Sequence, residues 1–219
     1  MSEITSRKNI KYLKHKYKQK KDSIRHRLMD FRKIDIDDEK RILSEMIFCI
    51  SAANSGAKNA FEAQTRIEQD KKLWNADQKY VAGVLLKSKV RFHNNKARYI
   101  INARKHLFFD KNLQIYFNQT KDEIELRDVL AKNVLGLGMK ESSHFLRNIG
   151  RYDKVAILDR HILKNLKKYD VIEDIPKTLT HKKYKQIENK MNEFSNKIKI
   201  PMSYLDLLFW SEQTGHIFK

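Results

Sequence analysis

Cysteine is nearly absent from this sequence. The one cysteine, Cys49, cannot form an internal disulfide, and one thiol alone cannot hold zinc or an iron–sulfur cluster. It lies in the apolar run Met46-Ile47-Phe48-Cys49-Ile50, where a small hydrophobic side chain suits a core. The sequence therefore excludes disulfide-stapled folds and cysteine-based metal sites, and it predicts a buried position for Cys49.

Glycine and proline are also scarce. The chain of 219 residues has six glycines and only two prolines, Pro176 and Pro201. Because these two residues interrupt helices, their scarcity favours helical structure, as does the abundance of lysine, glutamate, leucine and alanine. No long alternating pattern of a β-strand is present. The composition predicts an all-α fold.

Long apolar segments are missing as well. No apolar run approaches the roughly 20 residues that span a bilayer, and the basic N-terminus lacks the apolar region of a secretory signal. We therefore expect a soluble, intracellular protein with no membrane partner.

Acidic residues are outnumbered. Lys and Arg total 46 against 27 Asp and Glu, a formal net charge of +19. Such an excess indicates a polyanionic partner: nucleic acid first, an anionic membrane surface second. The alternative is a general bias toward lysine on solvated faces. Lys and Arg dominate residues 7–33, which we interpret as a basic helix or arm.

Hydrophobic periodicity predicts helices along most of the chain. They are expected at about 7–33, from 35–38 to about 51, through 61–67, and at 80–86, 91–108, 121–134, 139–149, 159–166, 178–199 and 201–213. Residues 52–56 are expected to end the helix that begins at 35–38. On the helix over 91–108, five basic side chains are expected to face solvent: Arg91, His93, Lys96, Arg98 and Arg104.

The expected organisation is a basic extension followed by a two-lobed core. Residues 1–34 form the extension and residues 35–219 the core. An outer lobe is built from both ends of that core, and a central lobe covers roughly 75–170. No linker marks the division, which follows from the position of a turn at 134–140.

That turn is the most informative stretch of the sequence. It reads Val-Leu-Gly-Leu-Gly-Met-Lys, with Gly136 and Gly138 between two predicted helices. Glycines permit positive φ and close approach of the backbone to another molecule, and the amides that begin the second helix can hold a phosphate oxygen. This is the helix-hairpin-helix pattern of sequence-independent DNA binding. A plain tight turn between helices is the alternative.

Two charged residues add chemistry to the turn. Lys140 lies in the first turn of the second helix, where the helix dipole and desolvation favour a neutral, nucleophilic amine. Asp159 follows the buried run 155–158 and precedes a helix, so it is a natural N-cap whose carboxylate stays ionised. The alternatives are a solvated lysine and a purely structural cap.

Separate segments of the sequence resemble one known family. The stretch Leu-Gly-Leu-Gly-Met-Lys-Glu-Ser-Ser-His-Phe-Leu-Arg-Asn at 135–148 is similar to 8-oxoguanine DNA glycosylase/AP lyases, specifically to the second, mainly archaeal type in the helix-hairpin-helix superfamily. The segments 91–99 and 155–161 and the C-terminal end match too. The resemblance covers about 35–219 and leaves the first two dozen residues outside. It implies the helix-hairpin-helix DNA glycosylase fold, with two helical lobes and the active site between them.

The resemblance also implies roles for individual residues. Lys140 would be the Schiff-base nucleophile and Asp159 its partner. Lys219, Trp210 and Phe92 would recognise the damaged base, although a frayed terminus and core packing are the alternatives for these three. The residues expected to contact DNA are Gly136, Gly138, Asn54, His144 and Arg147. Asn54 could equally form a turn, and His144 and Arg147 could be simply solvated.

The expected function is excision of 8-oxoguanine through a lysine Schiff base, followed by strand cleavage by β-elimination. This chemistry requires no metal or other cofactor. The partner is double-stranded DNA containing 8-oxoguanine, bound by a monomer in the cytoplasm at the nucleoid. The alternatives are a related glycosylase for another damaged or mismatched base and a non-catalytic helix-hairpin-helix module. The single cysteine excludes the relatives that carry a four-cysteine iron–sulfur cluster.

The net charge leads to a first prediction. Affinity for undamaged duplex DNA should fall steeply with salt, because each neutralised phosphate contributes about −0.9 to the slope of log affinity against log salt. Fluorescence anisotropy titrations at several salt concentrations measure that slope. A flat plot would show that the +19 charge only solvates the surface.

Overall fold

The protein, described here by a computed structural model, is helical throughout the part of the chain that can be described. That part is the backbone of 3–217, with side chains except those of 3–7, 213 and 214, and it contains no β-strand. Its α-helices are α1 (Glu3–Arg32), α2 (Glu39–Ala52), α3 (Ala57–Gln69), α4 (Gln78–Lys87), α5 (His93–Arg104), α6 (Asn112–Gln119), α7 (Glu123–Asn133), α8 (Met139–Asn148), α9 (Arg160–Lys168), α10 (His181–Ile198) and α11 (Met202–Thr214). The predicted all-α fold is confirmed.

Polar side chains mark where several helices begin. Each accepts hydrogen bonds from amides of the first turn, which have no partner within the helix. These N-caps are Asp38 for α2, Asp77 for α4, Asp122 for α7, Asp159 for α9 and Thr180 for α10. Short polar residues therefore fix the start of about half of the helices, and for α2 and α9 the sequence predicted the start.

The chain divides into two compact units. The terminal unit combines the N-terminal helix through Phe31 with the chain from Tyr152 onward, and the central unit is Arg32–Arg151. These boundaries differ from the expected extension at 1–34 and central lobe at 75–170. The reason is that α1 contributes a buried apolar stripe to the terminal unit: Leu13, Ile24, Leu28 and Phe31.

Helix α1 is the longest helix, with 30 residues, and the most basic. Its charged positions line the exposed side, while the stripe just described is almost completely buried. The phenolic hydroxyl of Tyr152 donates a hydrogen bond to the carbonyl of Leu28, 3.1 Å away. No described helix is both long and apolar enough to cross a membrane.

The central unit is organised around α2. Every residue of this helix from Ile42 to Ser51 is buried, and it packs against α3, α5 and α8. A helix buried on all sides must satisfy its polar groups internally. Glu45, fully buried, accepts a hydrogen bond from the side-chain amide of Asn148 at 3.0 Å and pairs with Arg41 at 2.9 Å. Burial of Cys49 in the same helix confirms the core position expected for it.

In the terminal unit, an extended segment at 155–158 leads into α9. Helix α10 holds it by two side chains one turn apart. The Tyr184 hydroxyl donates to the carbonyl of Ala156 at 2.6 Å and accepts from the amide of Leu158 at 3.2 Å. The Glu188 carboxylate accepts from the amide of Ala156 at 2.8 Å. These bonds replace the ladder that a strand partner would supply and place Asp159 at the start of α9.

Three local expectations need correction. Helix α6 was not predicted, because its eight residues show no clear apolar period. The helix expected over 91–108 is α5 followed by a π-helical turn, Lys105–Phe109. The solvent-facing basic side chains expected there include two that are buried, Lys96 and Arg104. Arg104 is buried because its guanidinium donates to the carbonyls of Leu73 and Ala76.

The contacts of Tyr184 lead to a second prediction. Tyr184→Phe should lower the free energy of unfolding by about 1–3 kcal/mol, because it leaves a buried carbonyl and a buried amide without their partner. Urea unfolding followed by circular dichroism measures the change. Tyr12→Phe, at a position that is 48% exposed, is the control and should change stability by less than about 0.5 kcal/mol. Equal stability of Tyr184→Phe and the wild type would mean that these hydrogen bonds do not hold the segment.

Candidate active site

The turn between α7 and α8 is a helical hairpin. Helix α7 ends at Asn133, and the amide of Leu137 donates to the carbonyl of Val134 at 3.1 Å, which closes the turn. Leu137 is buried, whereas Leu135 is 52% exposed at the tip. One leucine thus anchors the turn in the central unit while the other leaves the tip apolar and accessible.

The two glycines of the turn have different roles. Gly136 has φ +93°, in the left-handed region, and a Cβ at this position would lie 2.6 Å from Cβ of Tyr99. Only glycine fits there. Gly138 has φ −75° and ψ −175°, an extended conformation open to any residue. Of the two glycines, Gly136 alone uses the positive φ that glycine permits.

Gly138 leaves the start of α8 without a side-chain cap. As the N-cap residue it has no side chain to accept hydrogen bonds from the first-turn amides. At the start of α9, by contrast, the Asp159 carboxylate accepts from the amides of His161 and Ile162 at 2.7 and 2.8 Å. The first turn of α8 therefore keeps the donors and the positive dipole end that suit an anion from outside.

Lys140 lies on this first turn, in an ion pair with its neighbour. Its Nζ is 2.9 Å from Oε1 of Glu141, and the two side chains are 24% and 17% exposed. Lys140 therefore lies at the surface but is partly enclosed, next to a carboxylate and directly after the hairpin turn. An amine that is reachable yet partly desolvated is the arrangement that a nucleophilic lysine needs.

Lys96 is a residue of the site that the sequence analysis missed. Only 4% exposed, it points its ammonium at three oxygen atoms: the carbonyls of Ser51 (2.8 Å) and Ala53 and the hydroxyl of Ser55 (3.0 Å). Burial above all, and next the positive charge of Lys140, lower the pKa of Lys96 to about 8. The sequence held one usable signal, the match of the segment 91–99 to the family.

A pocket of about 180 Å³ opens beside the hairpin, entirely within the central unit. It is lined by Ile50, Ala53, Asn54, Phe92, Asn95, Lys96, Tyr99 and Gly136. Asn54 (φ +52°) and Phe92 (φ +59°) both have left-handed backbones, and both side chains are exposed. The guanidinium of Arg91 lies 5.3 Å from the Phe92 ring centre. The pocket thus places the exposed Phe92 ring, the side-chain amide of Asn54 and the buried Lys96 ammonium beside the hairpin backbone at Gly136.

The predicted site residues are shared between the two units. The central unit brings together Lys140, Gly136, Gly138, Phe92 and Asn54. Asp159 and Trp210 belong to the terminal unit, the first at the start of α9 and the second half-buried on α11. Lys219 lies outside the described residues.

His144 and Arg147 are placed differently from what the sequence suggested. Both were expected on the α8 surface, touching phosphate or solvated, but they are only 8% and 5% exposed. The ring of His144 packs edge-on against Phe48, and Arg147 donates to the side-chain oxygen of Asn148 at 3.2 Å. The cause is the packing of α8 against α2, which covers the face that carries both residues. Their burial argues against direct phosphate contact.

The protein is helical and combines a glycine-containing hairpin, an uncapped helix start and a partly enclosed lysine. Together these features define the class of helix-hairpin-helix proteins. The family model described as 8-oxoguanine DNA glycosylase matches residues 24–200. A Fusobacterium nucleatum protein named 8-oxoguanine DNA glycosylase/AP lyase is 40% identical over 206 residues, which is 93% of this chain and 94% of the relative.

Solved structures agree with the sequence matches. The Methanocaldococcus jannaschii 8-oxoguanine glycosylase/lyase, in complex with a 15mer DNA containing 8-oxoguanine, is 34% identical with a TM-score of 0.86 and covers 96% of this chain and 99% of its own. The Thermotoga maritima 8-oxoguanine DNA glycosylase is 26% identical with a TM-score of 0.87 and covers 98% and 100%. The chain belongs to the 8-oxoguanine DNA glycosylase family.

The geometry at Gly136 leads to a third prediction. Gly136→Ala should lower the free energy of unfolding by at least about 1 kcal/mol, because a Cβ strains the left-handed backbone and collides with Tyr99. Gly83→Ala is the matched control: Gly83 lies inside α4 with nothing within 4 Å, so alanine there should stabilise by about 0.5–1 kcal/mol. Chemical denaturation of the two variants and the wild type tests whether Gly136→Ala is destabilised and Gly83→Ala is stabilised. Equal stability of Gly136→Ala and the wild type would contradict the close approach of Tyr99.

Proposed function

We propose that this protein excises 8-oxoguanine from duplex DNA and then cleaves the strand at the resulting abasic site, through a Schiff base formed by Lys140. The observation that carries the proposal is the position of Lys140, on the first turn of α8 directly after the hairpin turn, in a chain of this family. The relatives reported above all bear the 8-oxoguanine name. This favours that lesion over oxidised pyrimidines or mismatches and favours an enzyme over a non-catalytic binding module.

Binding of DNA would begin at the hairpin. The uncapped amides of α8 and the backbone at Gly136 and Gly138 would hold phosphate oxygens, which positions the duplex without reading its sequence. Asn54, exposed beside the same pocket, would enter the space left when the damaged nucleotide turns out of the stack. Because His144 and Arg147 are buried, they are left out of this contact surface.

The reaction requires Lys140 as a free amine. Its nitrogen attacks C1′ of the sugar while the glycosidic bond breaks and the base departs with a proton. Opening of the sugar ring gives an imine between Lys140 and C1′, which acidifies the C2′ proton. Removal of that proton expels the 3′ phosphate, so the strand is cleaved by β-elimination. Hydrolysis of the imine by water then frees Lys140 and leaves an unsaturated aldehyde on the cleaved strand.

Asp159 would contribute its negative charge. Two first-turn amides of α9 donate to the carboxylate and fix its position. A fixed carboxylate offsets the positive charge that develops on the sugar as the base leaves. The cap and the catalytic role are therefore compatible, since the same side chain serves both.

We assign recognition of the damaged base to two aromatic side chains and to Lys219. Trp210 and Phe92 offer flat apolar faces on which a purine can stack. Lys219 would offer its ammonium to the polar edge of the base, as the family resemblance implies. We further propose that a single chain acts as the enzyme. Since its substrate is genomic DNA, its place would be the nucleoid in the cytoplasm.

The fourth prediction tests the nucleophile. Lys140→Gln should abolish covalent trapping by borohydride on a duplex containing 8-oxoguanine, because the amide cannot form an imine, while binding to that duplex persists. Gel analysis of the trapped complex and anisotropy measure the two properties.

A matched control is available for this test. Lys79 occupies the second position of α4, as Lys140 does in α8, and it is exposed. Lys79→Gln should trap as the wild type does. Trapping by Lys140→Gln at the yield of the wild type would overturn the assignment.

A further inference from the structure

The exposed side of α1 carries a regular row of positive charges. Five basic residues follow one another at intervals of three or four positions, and all are exposed: Lys11, Lys14, Lys18, Lys21 and Arg25. Residues spaced in this way share one face of a helix. At about 1.5 Å per residue, the row extends over about 21 Å. These five residues are called the basic stripe below.

The helix that carries the basic stripe is fixed to the terminal unit. A different side of α1 holds the buried apolar residues described above. The Lys20 ammonium donates to the hydroxyl of Ser211 at 2.9 Å, and the Tyr17 ring packs edge-on against Tyr204, with 5.8 Å between the ring centres. The basic stripe therefore lies on a docked helix and not on a loose arm.

Carboxylates neutralise little of the basic stripe. Asp22 pairs with Arg25 at 3.3 Å, at an exposed position. Within the part of the chain that the structure describes, no ion pair engages the four lysines of the stripe. Helix α10 differs, because Glu193 lies between Lys190 and Lys197 on one of its faces. A row of cations without carboxylates between them is the electrostatic pattern of a nucleic-acid-binding surface.

The polyanion that fits the basic stripe is a nucleic acid duplex. A helix that binds a membrane surface inserts its apolar face, but the apolar face of α1 is already buried in the protein. A surface for single strands combines cations with aromatic rings on which bases stack, and none of the five positions of the stripe is aromatic. A duplex keeps its bases inside and presents regularly spaced phosphates, so a row of cations is sufficient.

We propose that the basic stripe is a second DNA-binding surface, which contacts the phosphates of undamaged duplex DNA and belongs to a different unit from the hairpin. The inference rests on the proposed function only in taking DNA as the substrate, and it does not depend on the chemistry of Lys140. The family model matches from residue 24 onward, so the four lysines of the stripe precede the matched segment. Contacts with phosphates let a protein move along DNA, so the stripe would keep the enzyme on the duplex between lesions.

Salt titrations with an undamaged DNA duplex, followed by fluorescence anisotropy, test this inference. The triple variant Lys14→Gln, Lys18→Gln, Lys21→Gln removes three charges of the stripe, and glutamine is nearly as good a helix former as lysine. Its affinity at about 0.1 M salt should fall at least about tenfold. The slope of log affinity against log salt should become less steep by about two to three, since each phosphate contact contributes about 0.9. Arginine at the same three positions keeps the charge and should preserve both quantities.

A matched variant separates the basic stripe from the net charge. Lys183, Lys190 and Lys197 are exposed on one face of α10, in the same unit. The variant Lys183→Gln, Lys190→Gln, Lys197→Gln removes the same number of charges. Its affinity should change less than about threefold, because charges more than about 10 Å from a bound phosphate are largely screened at this salt concentration. Circular dichroism of each variant checks that the helices are intact.

The outcomes distinguish this inference from the proposed function. Equal affinities and slopes for the α1 and α10 variants would overturn the inference. So would a loss of binding by the α1 variant to phosphatidylserine vesicles, or to an RNA duplex, with binding to the DNA duplex unchanged. None of these measurements involves excision. Failure of the wild type to form the trapped complex on 8-oxoguanine DNA would instead overturn the proposed function.

Discussion

The close approach of Tyr99 to the backbone of Gly136 is the contact on which the central unit's site depends. The side chain from α5 lies where a Cβ of residue 136 would be, so the hairpin turn can rest directly against that helix. This contact determines where α8 starts and therefore where Lys140 lies. It also places Gly136 in the wall of the same pocket as Phe92, Asn54 and Lys96. The absence of a side chain at Gly136 thus allows the hairpin turn, the pocket and the candidate nucleophile to lie together.

Burial of charge is the second constraint on this unit. An ionised group inside a protein is destabilising unless polar partners surround it. Lys96 meets this requirement with three oxygens around the end of α2, and Glu45 meets it with Asn148 and Arg41. The two networks join α2 to α5 and to α8. The elements that carry the site are therefore held by polar contacts as well as by apolar packing.

In the terminal unit, side chains of one helix fix the position of the candidate site residue Asp159. Tyr184 and Glu188 of α10 hold the extended segment at 155–158 through its backbone, so Asp159 reaches the start of α9 in a fixed orientation. The carboxylate is then bound by two amides of that helix. The position of the Asp159 side chain is thus fixed by backbone donors of its own helix.

Much of the fold and of the candidate site could be predicted from the sequence, because the features concerned depend on residues that are close together in the chain. Scarce glycine and proline and the apolar spacing predicted helices, short polar residues predicted the starts of α2 and α9, and the glycines at 136 and 138 predicted the turn. Each of these depends on a few neighbouring residues. Lys140 and Asp159 could likewise be singled out as chemically special by their place beside a turn and a buried run.

What only the tertiary structure decided concerns the surroundings of each side chain. Lys96 and Arg104 look like solvent-facing residues of a basic helix, yet they are buried, because backbone carbonyls distant in sequence accept their hydrogens. His144 and Arg147 look like surface residues of α8, yet α2 covers them. The sequence by itself determined most of the helices and the turn, and it singled out Lys140 and Asp159 as candidate reactive groups. Burial and charge around those groups depend on residues that only folding brings together.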